Sequence, residues 1–533
     1  MIIQDGIKQE WEKALDEIAQ IILSRREEIT KRDILRIKME VARKYRLQRI
    51  PKNSEILSKI KDKKVRKLLI IKPARSLSGI AVIAAMSRPM PCPPQANCIY
   101  CPGGVKVDTP QSYTGKEPAA RRGMEHDYDS FKQVTARIRQ LEAIGHPTSK
   151  IELIIMGGTF LSFPITYQEE FVKGCYDALN GFKASSLEEA IRHNEIAERR
   201  CVGLTFETRP DFCKEEHVDR MLYYGGTRVE IGVQTLDDDV LRKVRRGHTV
   251  RDTIEAFRIA KDAGFKIVAH MMPGLPYSDL KKDYESFFKL FYDDRFKPDM
   301  IKIYPTLVVE SAPLYQMYKR GEYVPPSLDE IVDLIARVKM IIPPWIRIMR
   351  IQRDIPADQI VAGVKAGNLR ELVKRRVEEL GGRCRCIRCR EVGLRGLTPE
   401  RLKEFRLVRR DYRASEGVEV FLSWENEDEV IAGFLRMRIP SKKAHRPEIN
   451  DGTAIVRELR VYGQLVDVGD RLEEGWQHRG LGAKLMRKAE EIALSEFGKE
   501  KLTVISAVGT RKYYEKLGYY RDGAYMSKKL GRI

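Results

Sequence analysis

Met90-Pro91-Cys92-Pro93-Pro94-Gln95-Ala96-Asn97-Cys98-Ile99-Tyr100-Cys101-Pro102-Gly103-Gly104 places three cysteines within ten residues, between prolines and ahead of a Gly-Gly. Thiolates this close in a loop are metal ligands more often than core residues. Two cysteines two residues apart can grip one metal centre, and Cys92 can fold back onto it. Three thiolates leave one iron of a four-iron cluster open to a small molecule, whereas four would close it. A zinc site, or three free thiols in a Pro-rich loop, are the alternatives.

Immediately upstream, 80–86 is an apolar run of strand length. Similar runs follow at 151–156, 202–206, 229–233, 267–270, 300–304 and 346–351. Between them, helical periodicity marks 128–144, 167–180, 187–199, 215–224, 250–263, 280–292 and 328–341. Alternation of buried strands and amphipathic helices predicts parallel βα units, and the spacing suits a full or partial βα-barrel. In such barrels the functional loops follow the C-terminal ends of strands. The cysteine loop follows the first strand.

The flanks differ. Residues 8–46 read as helix with a charged outer face, and 1–75 as a small basic helical module. Residues 366–396 carry a charged helix and then Cys384, Cys386 and Cys389 among arginines, the mark of a domain junction. Three thiolates there suit a structural zinc whose fourth ligand cannot be named, or else reduced thiols in a basic linker. From 397 to 533 the chain reads as a second, α+β fold. Its strands are expected at 405–409, 418–424, 430–439, 454–462 and 502–506, with a helix over 483–497. The barrel then occupies 76–365.

Six of the nine cysteines fall in those two clusters, a pattern of metal sites in a reducing compartment rather than a disulfide framework. Cys175, Cys201 and Cys213 read as structural. No apolar run approaches the ~18 residues of a membrane span, and no signal-peptide layout is visible. A soluble cytoplasmic protein is expected. The net charge is +21, and it is uneven. Residues 1–75 hold 21 Lys/Arg against 11 Asp/Glu, and 365–413 hold 16 against 7, so two segments carry nearly all of the excess. Nucleic acid is the favoured partner for such segments; a solvated basic face is the alternative.

Gln477-x-x-Gly480-x-Gly482 joins a loop to a helix, where backbone N–H groups can approach a pyrophosphate. An apolar strand carrying Glu458 precedes it, and Tyr513-Tyr514-x-Lys516-x-Gly518-Tyr519 follows one helix and one strand later. With these, 398–533 resembles a GCN5-related acetyltransferase domain, which binds acetyl-coenzyme A. The resemblance implies that Glu458, Leu459, Arg460 and Val461 line the acetyl and pantetheine channel by backbone pairing. Gln477, Gly480, Leu481, Gly482 and Ala483 would bind the pyrophosphate, and Tyr514 would lie near the thioester sulfur.

Met156-Gly157-Gly158-Thr159-Phe160 ends the second strand, where glycines let backbone approach a ligand. With the cysteine loop, this resembles the radical S-adenosylmethionine superfamily. The resemblance implies a [4Fe-4S] cluster on Cys92, Cys98 and Cys101, with S-adenosylmethionine on the open iron near Gly157, Gly158 and Thr159. The usual spacing is Cys-x3-Cys-x2-Cys; here the first interval is five residues. Gly-Gly-Thr likewise replaces the commoner Gly-Gly-Glu. Glu230-x-Gly232-x-Gln234 and 270–276 are softer candidates for lining the nucleoside, and Glu230 equally suits a structural ion pair.

Both halves in one chain, with Gln111-Ser112-Tyr113-Thr114-Gly115, Ile455-Val456-Arg457-Glu458-Leu459 and Val508-Gly509-Thr510-Arg511, closely resemble the Elongator catalytic-subunit family in its stand-alone archaeal or bacterial form. That resemblance implies formation of 5-carboxymethyluridine at the wobble uridine of tRNA, with the basic N-terminus as a tRNA-binding arm and no need of accessory subunits. It also implies acetyl-coenzyme A contact by Lys150, and catalytic roles for Lys150, Glu458 and Tyr514. A radical taken from the acetyl methyl group could make the carbon–carbon bond to uridine C5 that ordinary acyl transfer cannot. The two halves would then share a site, so the barrel mouth is expected to face the acetyltransferase cleft. The other readings are a protein lysine acetyltransferase with a regulatory iron–sulfur domain, and a non-enzymatic tRNA scaffold.

Overall fold

The computed structural model describes residues 2–70, 79–397, 399–462 and 480–531. Seven strands, β1 (Ala81–Met86), β2 (Lys150–Met156), β3 (Arg200–Thr208), β4 (Arg228–Gln234), β5 (Lys266–Met271), β6 (Met300–Ile303) and β7 (Arg347–Arg350), pair in sequence order. Every pairing is parallel. β1 and β7 end the sheet as its two edges, so the barrel is partial.

Strand alternation sorts its residues into two sets. Ile151, Leu153 and Ile155, with Val229, Ile231, Ile267 and Ala269, pack outward against the helices. The intervening positions, including Glu152, Thr205, Glu207, Arg228, Glu230, Lys266, His270 and Lys302, face the lumen. Such lumens are ordinarily filled with branched apolar side chains, and this one is lined with charge.

The second sheet holds β8 (Arg406–Ala414), β9 (Gly417–Glu425), β10 (Ile431–Ile439), β11 (Thr453–Val461), β12 (Lys501–Val504), β13 (Tyr520–Asp522) and β14 (Tyr525–Lys529). Its order is β13-β14-β12-β11-β10-β9-β8. Only β11 and β12 run parallel, and they pair just from Thr453↔Lys501 to Val456↔Val504. A bulge then places Arg457 between Val456 and Glu458 in the register with β10. Past the bulge, β11 has no described partner on its β12 side, and the two strands part.

The second sheet does not face the barrel mouth; it packs against the opposite end. Arg457 donates to both oxygens of Asp299, which precedes β6, and to the Phe265 carbonyl, which precedes β5. Arg438 reaches Asp262 at 2.7 Å, Arg347 at the start of β7 donates to the Tyr462 hydroxyl, and Gly509 lies against Arg200 and Cys201. These contacts are all at N-terminal strand ends. The cysteine loop leaves the C-terminal end of β1. The expected shared mouth is thus corrected: the two halves meet across the barrel floor, because the arginines of β10 and β11 are complementary to carboxylates there.

The 8–46 periodicity is not one helix. It splits into Ile2–Ser24 and Lys31–Lys44, because Thr30 and Asp33 form a capping box that starts a new helix. These helices, with Asn53–Leu57 and Lys63–Leu69, close a core of their own around Ile18, Ile22, Ile37, Val41 and Leu57. Likewise the 187–199 pattern ends early, at Asn194. Between the two large sheets, Arg390 donates to the carbonyls of Pro344, Arg385 and Glu429 and pairs with Glu425, stapling the cysteine linker to both.

Candidate functional site

At the C-terminal strand ends, Cys92, Cys98 and Cys101 border a cavity of about 560 Å³. The five residues between Cys92 and Cys98 form a pinned turn: Ala96 N–H donates to Pro93, Asn97 to Arg245 and Ile99 to Val244. Gly247, at φ +79°, permits this clamp, since a Cβ there would lie 2.3 Å from the Gln95 carbonyl. Arg246 sends one nitrogen to within 3.6 Å of Cys98 Sγ and another to the Gly232 carbonyl. Burial, then the neighbouring Cys101 and Cys98, pushes the Cys92 thiol up to about 11. Three mutually opposed thiols are what a bound cationic centre relieves.

The two cysteine clusters differ in scale. Among the described residues, only Cys384, Cys386 and Cys389 bring three such ligand atoms within 4.8 Å of one another. One tetrahedral ion with 2.3 Å bonds to sulfur needs thiolates about 3.8 Å apart. The tight set fits a single ion. The wider set over the large cavity fits a multi-iron cluster with each thiolate on its own iron.

Gly158 and Thr159 also line the upper cavity; Gly157 does not. Both glycines have positive φ, and a Cβ would meet Ser87 Oγ at 1.9 Å or Gln111 Cβ at 2.9 Å. The space freed by the glycines is therefore filled by the neighbouring protein loops. Below them lies a carboxyl pair that the motif reading half missed. Tyr113 donates to both oxygens of Glu207, at 3.0 and 2.8 Å. Glu230 accepts from Lys302 and meets His270 Nε2 at 3.0 Å. Burial, aided by the charge of Glu230, raises the Glu207 carboxyl. Burial opposes ionisation of Glu230 too, but Lys302 and His270 outweigh it and hold that carboxyl well below its usual range. One carboxyl is pushed toward its neutral form beside one held as an anion. Charged residues inside otherwise apolar parallel strands were the available signal.

At the floor, a smaller cavity of about 100 Å³ is bounded by Thr205, Arg228 and Lys266 of the barrel and by Glu458, Leu459, Arg460 and Tyr514 of the second sheet. Glu458 accepts from Arg436 Nε at 2.9 Å. Burial works against its charge, yet Arg436, Arg460 and Lys266 keep it ionised below the usual range. It is a committed anion, a poor proton acceptor at neutral pH. Burial pushes Tyr514 up, so it stays a phenol. Lys150, the first residue of β2, sits at this same end beside Arg200; burial and then Arg200 lower its pKa. Val461 ends β11 where the strands have parted.

Gly480, at φ +71°, precedes the helix Leu481–Ser495, whose first free N–H groups include those of Gly482 and Ala483. A Cβ on Gly482 would lie 2.8 Å from the Tyr513 hydroxyl. Gln477 lies outside the described residues. The floor thus gathers Lys150, Glu458–Val461 and Tyr514, and the top gathers the cysteines with Gly158 and Thr159. The length of β2, about 20 Å, separates them.

Residues 95–287 match the family model of the radical SAM superfamily and 298–379 that of its C-terminal domain. Residues 390–519 match the acetyltransferase (GNAT) family, and 11–77 the ELP3 N-terminal domain. Fold and sites define a radical S-adenosylmethionine enzyme joined to a GNAT acetyltransferase. The tRNA uridine(34) acetyltransferase of Methanocaldococcus jannaschii is 50% identical over 94% of this chain and 95% of its own length. Human Elongator complex protein 3 is 45% identical over 93% of each. The solved archaeal Methanocaldococcus infernus Elp3, lacking its first 46 residues, aligns with TM-score 0.75 at 46% identity, covering 85% of this chain and 99% of that one. The chain belongs to the Elongator complex protein 3 and tRNA uridine(34) acetyltransferase family.

Proposed function

We propose that this protein forms 5-carboxymethyluridine at the wobble position of tRNA from acetyl-coenzyme A and S-adenosylmethionine. The observation that carries the reading is the pairing, in one chain, of a three-cysteine cavity at one end of a barrel and an acetyltransferase cleft at the other. When bound at Cys92, Cys98 and Cys101, a [4Fe-4S] cluster with S-adenosylmethionine supplies a radical able to take hydrogen from an unactivated C–H bond.

The chain's own residues do the rest. Backbone N–H groups of Leu481, Gly482 and Ala483, with Gly480 and Gln477, hold the coenzyme A pyrophosphate at a positive helix end. The free edge of Glu458-Leu459-Arg460-Val461 pairs with the pantetheine amides. Tyr514, as a neutral phenol, donates toward the thioester sulfur, and Lys150 contributes positive charge to the same end. Gly157, Gly158 and Thr159 shape the S-adenosylmethionine side of the upper cavity, while Glu207, with its Tyr113 donor, and Glu230 give a flipped base a polar lining. Unstacking an anticodon-loop base costs a few kcal/mol.

Cys384, Cys386 and Cys389 hold a structural Zn²⁺; elemental analysis should find one zinc per chain, lost in Cys386→Ser. The units are 1–75 (tRNA arm), 76–365 (barrel), 366–396 (linker) and 397–533 (acetyltransferase). No described helix is long and apolar enough to cross a membrane, and we read the protein as a cytoplasmic enzyme that needs no accessory subunit.

The test gives reconstituted enzyme acetyl-coenzyme A, S-adenosylmethionine and a one-electron reductant, with either tRNA or a histone-like peptide. Carboxymethyluridine is expected in the tRNA. Acetyl-lysine in the peptide without modified uridine would overturn the reading in favour of a lysine acetyltransferase.

A further inference from the structure

The two sites open at opposite ends of one barrel, yet the function requires the acetyl methyl group to meet the radical. We propose that the inner face of the barrel is a through-passage, by which the acetyl thioester entering at the floor reaches the cavity beneath the cysteine loop. This rests on the functional reading above and adds the route that it needs.

Three observations carry it. First, the cavities are stacked on the same strands. Thr205 borders the lower and Glu207 the upper; Arg228 the lower and Glu230 the upper; Lys266 the lower and His270 the upper. On β3 and β4 the two borders are two residues, about 7 Å, apart, and on β5 four residues, about 13 Å, with Val268 as the single side-chain layer between. Second, the residues that flank that layer carry buried polar atoms without a hydrogen-bond partner among the described residues: Thr205 Oγ1, Arg228 Nε and Glu230 Oε1, on side chains at most 4% exposed. Polar atoms sealed in this way ask for water or a ligand. Third, the inner face is open on its β1 side, while toward β5 the buried Val268 closes it, so the thioester must displace one side-chain layer there. Val82, whose register partner is Glu152, is 47% exposed, and Ala84 and Ile154 beside it are only half-buried. At the floor, Gly203 offers no side chain opposite Glu152, where a Cβ would come within 3.3 Å of it. An apolar inner residue left exposed marks open space, and the Glu152–Arg228 ion pair beside it gives the passage a polar wall that suits an amide and a thioester.

Val268 tests the route, because it faces the lumen between Lys266 and His270 and borders neither cavity. Bromoacetyl-coenzyme A carries a reactive carbon where the acetyl methyl sits. The cluster-loaded, full-length Val268→Cys and Thr205→Cys proteins are incubated with it, and adducts are mapped by peptide mass spectrometry. Both introduced cysteines should be alkylated ~10-fold or more faster than buried Cys175 and Cys213 on the outer face, with protection by coenzyme A. Labelling at Thr205→Cys alone would confine the thioester to the floor and overturn the passage. Absence of labelling at both, with calorimetry showing that the probe binds, would overturn it as well. Should Val268→Cys fail to fold, Met300→Cys, its register partner on β6 and likewise outside both cavities, reports on the same layer. Labelling of the middle layer by an enzyme that leaves tRNA unmodified would sink the functional reading and leave the passage standing.

Discussion

Arg457 is the residue on which the two halves most depend. It is the bulged residue of β11, and it satisfies Asp299, Glu419 and the Phe265 carbonyl at once, all without solvent. Removing one partner of such a buried network leaves the others charged and unpaired, at a cost of about 3–5 kcal/mol. Arg457→Met should therefore lower the thermal midpoint sharply, and a calorimetric scan at neutral pH checks it. Lys261, fully buried nearby, bears on pH dependence. Burial lowers its pKa to about 7 from 10.5, against the pull of Glu419 and Asp299. Between those values the unfolded chain holds a proton that the folded chain has lost, so this lysine's contribution makes stability rise with pH across that window. Lys261→Met should be more stable than the parent near pH 7, with the gap narrowing toward pH 10, as thermal midpoints across that range would show. Neither role was legible in the sequence. Arg457 stands in a quoted motif, but its partner Asp299 is 158 residues away, and no periodicity reports a contact across that span.

At the scale of elements, most of the frame was readable. All seven barrel strands fell on apolar runs, and the helix Leu280–Tyr292 matched its periodicity residue for residue. Failures have physical causes. The 8–46 pattern hid a break because Thr30-x-x-Asp33 starts a helix without interrupting the apolar spacing. β13 is three residues long and mostly exposed, and the buried run of β14 is only Tyr525, Met526 and the polar Ser527, too short to mark a strand. The start of Leu481–Ser495 is the element that the functional reading leans on most. Gly482→Val places side-chain carbon against the Tyr513 hydroxyl and the phosphate-facing N–H groups. Acetyl-coenzyme A affinity should fall ~10-fold or more, measured by calorimetry, with little change in thermal midpoint.

For the whole molecule, charge distribution and domain orientation carry the argument. The N-terminal helices bury their own core and leave Lys31, Arg32, Arg43 and Arg46 exposed. Deleting 1–75 should weaken tRNA binding and flatten its dependence on salt, since each phosphate that is no longer neutralised by a lysine or arginine takes about one counterion's worth from the slope. Electrophoretic shifts at several salt concentrations give both numbers. Orientation was the one global feature that the sequence misplaced. Composition reveals two sites and a need to connect them, but the choice of barrel end rests on where Asp262 and Asp299 meet Arg438 and Arg457.

The central claim is that one enzyme joins the acetyl methyl carbon to a tRNA uridine by radical chemistry. Methyl-deuterated acetyl-coenzyme A tests it most directly, with S-adenosylmethionine, reductant, tRNA and reconstituted enzyme, read by mass spectrometry of nucleosides. The account predicts carboxymethyluridine retaining two deuterons, with the third in 5′-deoxyadenosine. An acetyl group transferred with all three deuterons intact, and 5′-deoxyadenosine free of label, would contradict it.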